Sequence, residues 1–229
     1  MKALLLAAGR GTRLGALTQH TPKCLVSVGG IALLDTWITR LAAAGFTEVR
    51  LNTHHLAPVV EAHVAAAKYP IRVDTHYESR LLGTAGTISA HRDWKDGDDC
   101  LIAHADNYSR IDVSQFMSTH RHRDPSFVLT MLAFHTDTPH TCGILDVGSN
   151  GELLNMWEKS RDDHGSLANA AVYAVSPALV HSIDTETDFS TEIIPKFFGR
   201  ILVVETREVH IDIGTPESLA RANAIASGE

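Results

Sequence analysis

Along the chain, short apolar runs, polar turns and amphipathic stretches follow one another in a repeating order. Lys2 to Ala7 is an almost unbroken apolar run of strand length that ends at Gly9-Arg10-Gly11, and Leu33 to Ala44 carries helical spacing. The same alternation predicts strands over Glu48 to Thr53, Ile71 to His76 and Cys100 to Ala105, with a helix over Pro58 to Lys68. Strands separated by helices point to a parallel sheet, because a parallel partner is reached only through a crossover. Beyond a predicted helix at Val113 to His122 the rhythm changes. Phe127 to Phe134 and Gly143 to Val147 read as a strand pair ending in the hairpin-like turn Asn150-Gly151, so the second half is predicted to be mixed. Strands at Ala170 to Val175 and Ile201 to Glu205 and a helix at Thr191 to Phe198 precede a closing helix at Pro216 to Ala226, which has proline at its start. The expected class is α/β, with a Rossmann-like mixed, mostly parallel sheet and helices on both faces.

Composition narrows this picture. A chain of 229 residues with 44% apolar content can bury a sizeable core, and no linker or repeat interrupts it, so one domain over 1–229 is expected. A formal charge of −7 argues against nucleic acid or an anionic membrane as partner, since either demands a basic face. Cys24, Cys100 and Cys142 are odd in number and widely spaced, which suggests neither a disulfide framework nor a zinc site and fits a reducing cytoplasm. The apolar start is too short for a signal peptide or a membrane-spanning helix. Fourteen histidines include His54-His55 and His120-x-His122, yet no third ligand follows at a recognisable spacing. Self-association into a homo-oligomer is left open.

Candidate chemistry begins at the first turn. In Gly9-Arg10-Gly11-Thr12-Arg13-Leu14 the glycines let backbone N–H groups approach a polyphosphate, and Arg13 adds a forked, permanently charged donor. A tight turn with a solvated arginine explains the glycines equally well. A dinucleotide fingerprint fails because Leu14 stands where a third small residue is needed, and Asn52 and Thr53 stand where an acid should end the second strand. The failed fingerprint disfavours a nicotinamide-dependent oxidoreductase. A P-loop is excluded by the missing Gly-Lys-Ser/Thr. Pro22-Lys23 brings a second cation before a short apolar run.

With LLLAAGRGTRL followed by TPKCLVSVGG, the chain resembles the sugar-1-phosphate nucleotidyltransferases, and it is similar to their short guanylyltransferase members acting on mannose or heptose 1-phosphates. The likeness continues through Glu78-Ser79-Arg80-Leu81-Leu82-Gly83-Thr84-Ala85-Gly86, Trp157-Glu158-Lys159, Asn169-Ala170-Ala171-Val172-Tyr173, Asp188-Phe189-Ser190 with Ile194-Pro195, and Asp212-Ile213-Gly214-Thr215-Pro216-Glu217. Three segments depart from the family pattern: His104-Ala105-Asp106 replaces NGD, Pro22-Lys23-Cys24 replaces PKP, and Glu158-Lys159-Ser160 replaces EKP. The charged residues persist in each. The sequence stops at Glu229 without the C-terminal extension of longer relatives, so a single activity is expected.

The resemblance implies the nucleotide-diphospho-sugar transferase fold, with a nucleotide-binding part over about 1–110 and a sugar-phosphate-binding part over about 111–229. It implies Arg13, Lys23 and Lys159 as catalytic cations, and Ala8, Gly9, Gly11, Thr12, Arg13, Glu78, Gly83 and Thr84 as nucleotide-binding positions. Gly143, Glu158, Lys159 and Asn169 are the implied sugar-phosphate positions, and Asp106 and Asp212, each after an apolar strand-like stretch, the implied ligands of Mg²⁺. The expected partners are a nucleoside triphosphate and a sugar 1-phosphate. Glu78 stands where many pyrimidine-using relatives carry glutamine, which favours GTP: guanine offers adjacent N1–H and 2-amino donors to a carboxylate. A manno-configured hexose or heptose is the favoured sugar. The alternatives are a UTP- or dTTP-using enzyme and a non-catalytic nucleotide-sugar-binding regulator of the same fold, and retention of Asp106, Asp212, Arg13 and Lys23 together disfavours the regulator.

Overall fold

The computed structural model describes residues 1–95 and 99–228. In chain order its elements are β1 (Lys2–Leu6), β2 (Ser27–Val28), β3 (Ile31–Ala32), α1 (Leu33–Ala43), β4 (Glu48–Thr53), α2 (Ala57–Ala66), β5 (Arg72–Tyr77) and α3 (Gly83–Ala90). They continue as β6 (Cys100–His104), β7 (Asn107–Ser109), α4 (Val113–His122), β8 (Leu129–His135), β9 (Gly143–Val147), β10 (Leu153–Glu158), β11 (Leu167–Val175), α5 (Pro177–His181), β12 (Ile201–Glu205), β13 (His210–Asp212) and α6 (Pro216–Ser227). The chain divides into two compact units. The first takes Met1–Leu81, Ala103–Val113 and the chain from Glu208 onward, and the second takes Leu82–Ile102 and Ser114–Arg207.

In the first unit β1, β4 and β5 run parallel, with Leu5 beside Leu51 and Asn52 beside His76. Leu4, Leu5, Val49 and Leu51 are fully buried, which is what a parallel sheet covered on both faces demands of its strands. The end of β6 lies beside β1, where Ala105 N donates to Leu6 O at 3.0 Å. A separate antiparallel ladder pairs β13 with β7 and sets Asp212 opposite Asn107. That ladder packs into a core of Leu14, Val26, Leu33, Tyr108, Ile211 and Ile213. Trp37 on α1 donates its buried indole N–H to Asn107 O at 2.9 Å, tying α1 to the same ladder.

The second unit is mixed. β8 pairs antiparallel with β11 and parallel with β12, while β9 pairs antiparallel with β10. The class is the predicted α/β one, a Rossmann-like mixed and mostly parallel sheet accompanied by helices. Two local expectations are corrected. Asn150-Gly151 turns β9 into β10, and β8 pairs instead with β11 and β12, because the turn joins sequence neighbours while β8 finds its partners in later strands. The single helix expected at Thr191 to Phe198 is a π-helical turn at Phe189–Ile193 followed by a 3₁₀ turn at Ile194–Phe197. Pro195 lacks the N–H that would continue a regular ladder. Among the described residues no helix is long and apolar enough to cross a membrane.

Candidate active site

The loop after β1 enters a 3₁₀ turn, Thr12–Gln19, through Gly11 at φ +62. Only glycine adopts that conformation without strain. A Cβ there would also meet Thr18 Cγ2 at 3.0 Å and Lys23 Cβ at 3.1 Å, so the loop and the Lys23 segment are packed against each other. Ala8 is buried, while Gly9, Thr12 and Arg13 are exposed. Lys23 itself is only 7% exposed. Its Nζ bonds Asp106 Oδ2 at 2.5 Å and Asp212 Oδ1 at 3.1 Å, and Arg13 Nη2 reaches Asp212 Oδ2 at 3.4 Å. Four charged residues named from the sequence therefore meet at one place in the first unit. The β7–β13 ladder brings the two aspartates there from distant parts of the chain. Gly214 leaves room for the Arg13 guanidinium, whose atoms would lie 3.0 Å from an added Cβ.

The charges tune one another. Burial opposes the Lys23 ammonium, but Asp106 and then Asp212 outweigh it and hold its pKa above the ordinary lysine value. Burial also opposes the Asp212 carboxylate, while Lys23, then Arg13 and His104, keep its pKa below the usual range. The Cys24 thiol is pushed up to about 12 by burial and by Asp106, which leaves it unreactive. Two carboxylates that bond one ammonium are close enough to share one hard cation, and oxygen ligands suit magnesium. Among the described residues no group of three or more His, Cys, Asp or Glu side chains could hold a metal. His54 and His55 each bond a carbonyl, that of Glu78 and that of Thr18.

Glu78, just beyond β5, is 7% exposed. Asn52 Nδ2 donates to Glu78 Oε1 at 2.9 Å, and Asn52 Oδ1 accepts from Ala7 N at 2.7 Å. Sequence reasoning missed Asn52 because its only signal was the absence of an acid at the end of the second strand.

The second unit holds the remaining positions. Gly83 opens α3 at φ +77, where a Cβ would fall 2.2 Å from Thr187 O, and Thr84 Oγ1 accepts from Phe189 N at 2.7 Å. Both residues anchor the Thr187–Phe189 segment. Gly143 lies opposite Glu158 in the β9–β10 ladder, and a Cβ on Gly143 would come within 2.7 Å of Glu158 Oε2. Lys159 follows at φ +50, bonds Glu158 at 3.3 Å and keeps its side chain 66% exposed. Asn169 sits where β11 bulges: Oδ1 accepts from Ala171 N at 2.9 Å and Nδ2 donates to Tyr173 Oη at 2.7 Å. Tyr173 is buried, and its phenol is pushed up to about 12 by that burial.

Curated relatives match the chain at modest identity. The chain is 26% identical to mannose-1-phosphate guanylyltransferase of Mycobacterium tuberculosis over 97% of its own length and 63% of that protein. It is 30% identical to glucose-1-phosphate thymidylyltransferase of Streptomyces antibioticus, over 80% of this chain and 51% of that one. It thus spans less than two thirds of these relatives. In fold it matches HddC from Yersinia pseudotuberculosis complexed with GMP-PN, with a TM-score of 0.83, 23% identity and 98% of both chains covered. Residues 2–228 match the family described as Nucleotidyl transferase, and the chain belongs to that family.

Proposed function

We propose that the protein joins a nucleoside triphosphate to a sugar 1-phosphate, forming a nucleotide sugar and releasing pyrophosphate, with GTP and a manno-configured hexose or heptose 1-phosphate as substrates. The observation that carries this reading is the Lys23 ammonium held by Asp106 and Asp212, with Arg13 beside them at the loop after β1. A sugar 1-phosphate is already an anionic nucleophile, so the reaction needs positioning and charge neutralisation more than proton abstraction. A phosphate oxygen attacks the α-phosphorus, and the bond from that phosphorus to the oxygen bridging the β-phosphate breaks. Arg13 and Lys23 bind the triphosphate and offset the charge that builds on the α-phosphoryl oxygens and the leaving pyrophosphate. Lys159, exposed in the second unit, binds the sugar phosphate, and Glu158 and Asn169 face the sugar hydroxyls. Asp106 and Asp212 would hold Mg²⁺, which would supply further charge neutralisation.

Arg13, Lys23 and Glu78 lie in the first unit, whereas Gly83 and Thr84 of the nucleotide-binding set lie in the second with the sugar-phosphate groups, and the chain as a whole acts as one nucleotidyltransferase domain. Glu78 supports GTP, because its carboxylate accepts from two adjacent guanine donors whereas uracil and thymine present one donor between two carbonyls. The test is pyrophosphate release from GTP, ATP, UTP, CTP and dTTP against a panel of sugar 1-phosphates, with and without Mg²⁺. GTP with a manno-configured sugar should be turned over fastest. A preference for UTP or dTTP would defeat the base assignment, and no release from any pair would defeat the enzymatic reading.

A further inference from the structure

The amide of Asn52 has a direction that the backbone decides. A peptide N–H only donates, so the 2.7 Å contact from Ala7 N requires Asn52 Oδ1 to be the acceptor. The Nδ2 group is then turned the other way and must donate, which it does to Glu78 Oε1 at 2.9 Å. Both side chains are buried, Asn52 at 3% exposure and Glu78 at 7%, so water does not scramble the arrangement. The backbone around Glu78 is pinned as well: its N–H donates to Thr53 O at 2.8 Å, and its carbonyl accepts from His54 Nδ1 at 2.8 Å. Whatever stands at position 78 is obliged to accept from Asn52. A glutamate that does so still offers only acceptors elsewhere, which suits the N1–H and 2-amino group of guanine. A glutamine would commit its oxygen to Asn52 and turn its NH₂ outward, which suits a pyrimidine carbonyl.

We propose that Asn52 is a positioning residue that sets the hydrogen-bonding sense at position 78, relaying the direction of the Ala7 N–H to the nucleotide base. The inference rests on the reading of Glu78 as the base-recognising group. Through Ala7 it also couples base recognition to the loop that begins the triphosphate site.

The test is calorimetric titration of the full chain with non-hydrolysable GTP and UTP analogues. Glu78→Gln should shift the guanine-to-uracil preference by about tenfold to a hundredfold toward uracil, the scale of a good bidentate base contact. Adding Asn52→Asp to that variant inverts the relay. The carboxylate introduced at position 52 accepts from Ala7 N with one oxygen and from the new amide at position 78 with the other. That turns the amide carbonyl at position 78 to the base and should restore the guanine preference. A Glu78→Gln variant with unchanged preference would defeat the Glu78 reading, and this inference with it. A shifted preference that the second substitution fails to restore, in a variant with a wild-type circular-dichroism spectrum, would overturn the role of Asn52 alone. Should the double variant fail to fold, Asn52→Leu gives the same decision. The relay is then absent, and Glu78→Gln in that background should shift the preference less than about threefold, well below the scale of a full bidentate contact. A shift as large as in the wild-type background overturns the proposal.

Discussion

Asp106→Asn and Asp212→Asn each keep side-chain volume and remove a charge that Lys23 neutralises at 2.5 and 3.1 Å. Each variant retains one carboxylate for the buried ammonium, so the fold should persist while turnover falls by well over tenfold. Altering groups that merely support a metal ligand costs about 10–100-fold, so losses below about tenfold in both variants, measured as pyrophosphate release, would sink the metal assignment. At this scale the charged residues were readable because they fall in motifs that resemble those of the family. Gly214, which makes room for the Arg13 guanidinium, and Asn52 were not, since neither carries a charge and each matters only through a partner far along the chain.

The β11 bulge and the segment after α5 illustrate what elements add. Ala171 sits at φ +52 between Asn169 and Tyr173, where the pairing with β8 shifts register. A left-handed L-residue costs roughly 1–2 kcal/mol, and glycine returns about 0.5–1 kcal/mol of that as lost chain entropy, so Ala171→Gly should stabilise by up to about 1 kcal/mol. For a chain of this size that is a rise in Tm of about 2–4 °C, read by calorimetry, and a fall would show that the alanine methyl is needed in the bulge. Near Phe189, Glu186 bonds Lys196 and its pKa is lowered to about 2, chiefly by that bond, from an ordinary value near 4.5. A depressed carboxylate stabilises the fold above its unfolded pKa and loses that contribution as pH falls through the folded one. The Tm difference between wild type and Glu186→Gln should therefore be constant above about pH 5 and vanish only below about pH 2. It should also shrink with salt, because the Lys196 side chain is half exposed to solvent. A difference independent of pH would assign the effect to something other than the charge. Long periodic elements such as α4 and α6 were legible in the sequence, whereas β7 and β13, three residues each, are too short for a period to register.

For the molecule as a whole, the ion cluster bears on metal dependence. Asp106 and Asp212 are neutralised by Lys23 and Arg13 within the protein itself, so the fold does not require a dication to offset them. Chelation with EDTA should abolish pyrophosphate release reversibly while moving Tm by less than about 2 °C, equivalent to under about 1 kcal/mol at this size. A large fall in Tm would mean that metal is a structural component.

The order of apolar strands and helices, the glycine turn after β1 and the spaced charged motifs were properties of the sequence, because periodicity and backbone freedom are encoded locally. They sufficed for an α/β fold and for a family resemblance. Tertiary structure alone decided that β8 pairs with β11 and β12, that the β7–β13 ladder carries Asp106 and Asp212 to the same ammonium, and that Asn52 stands between Ala7 and Glu78. Strand pairing and convergent side chains depend on contacts between residues distant in the chain, and no local period specifies which distant partner a strand or a carboxylate will meet.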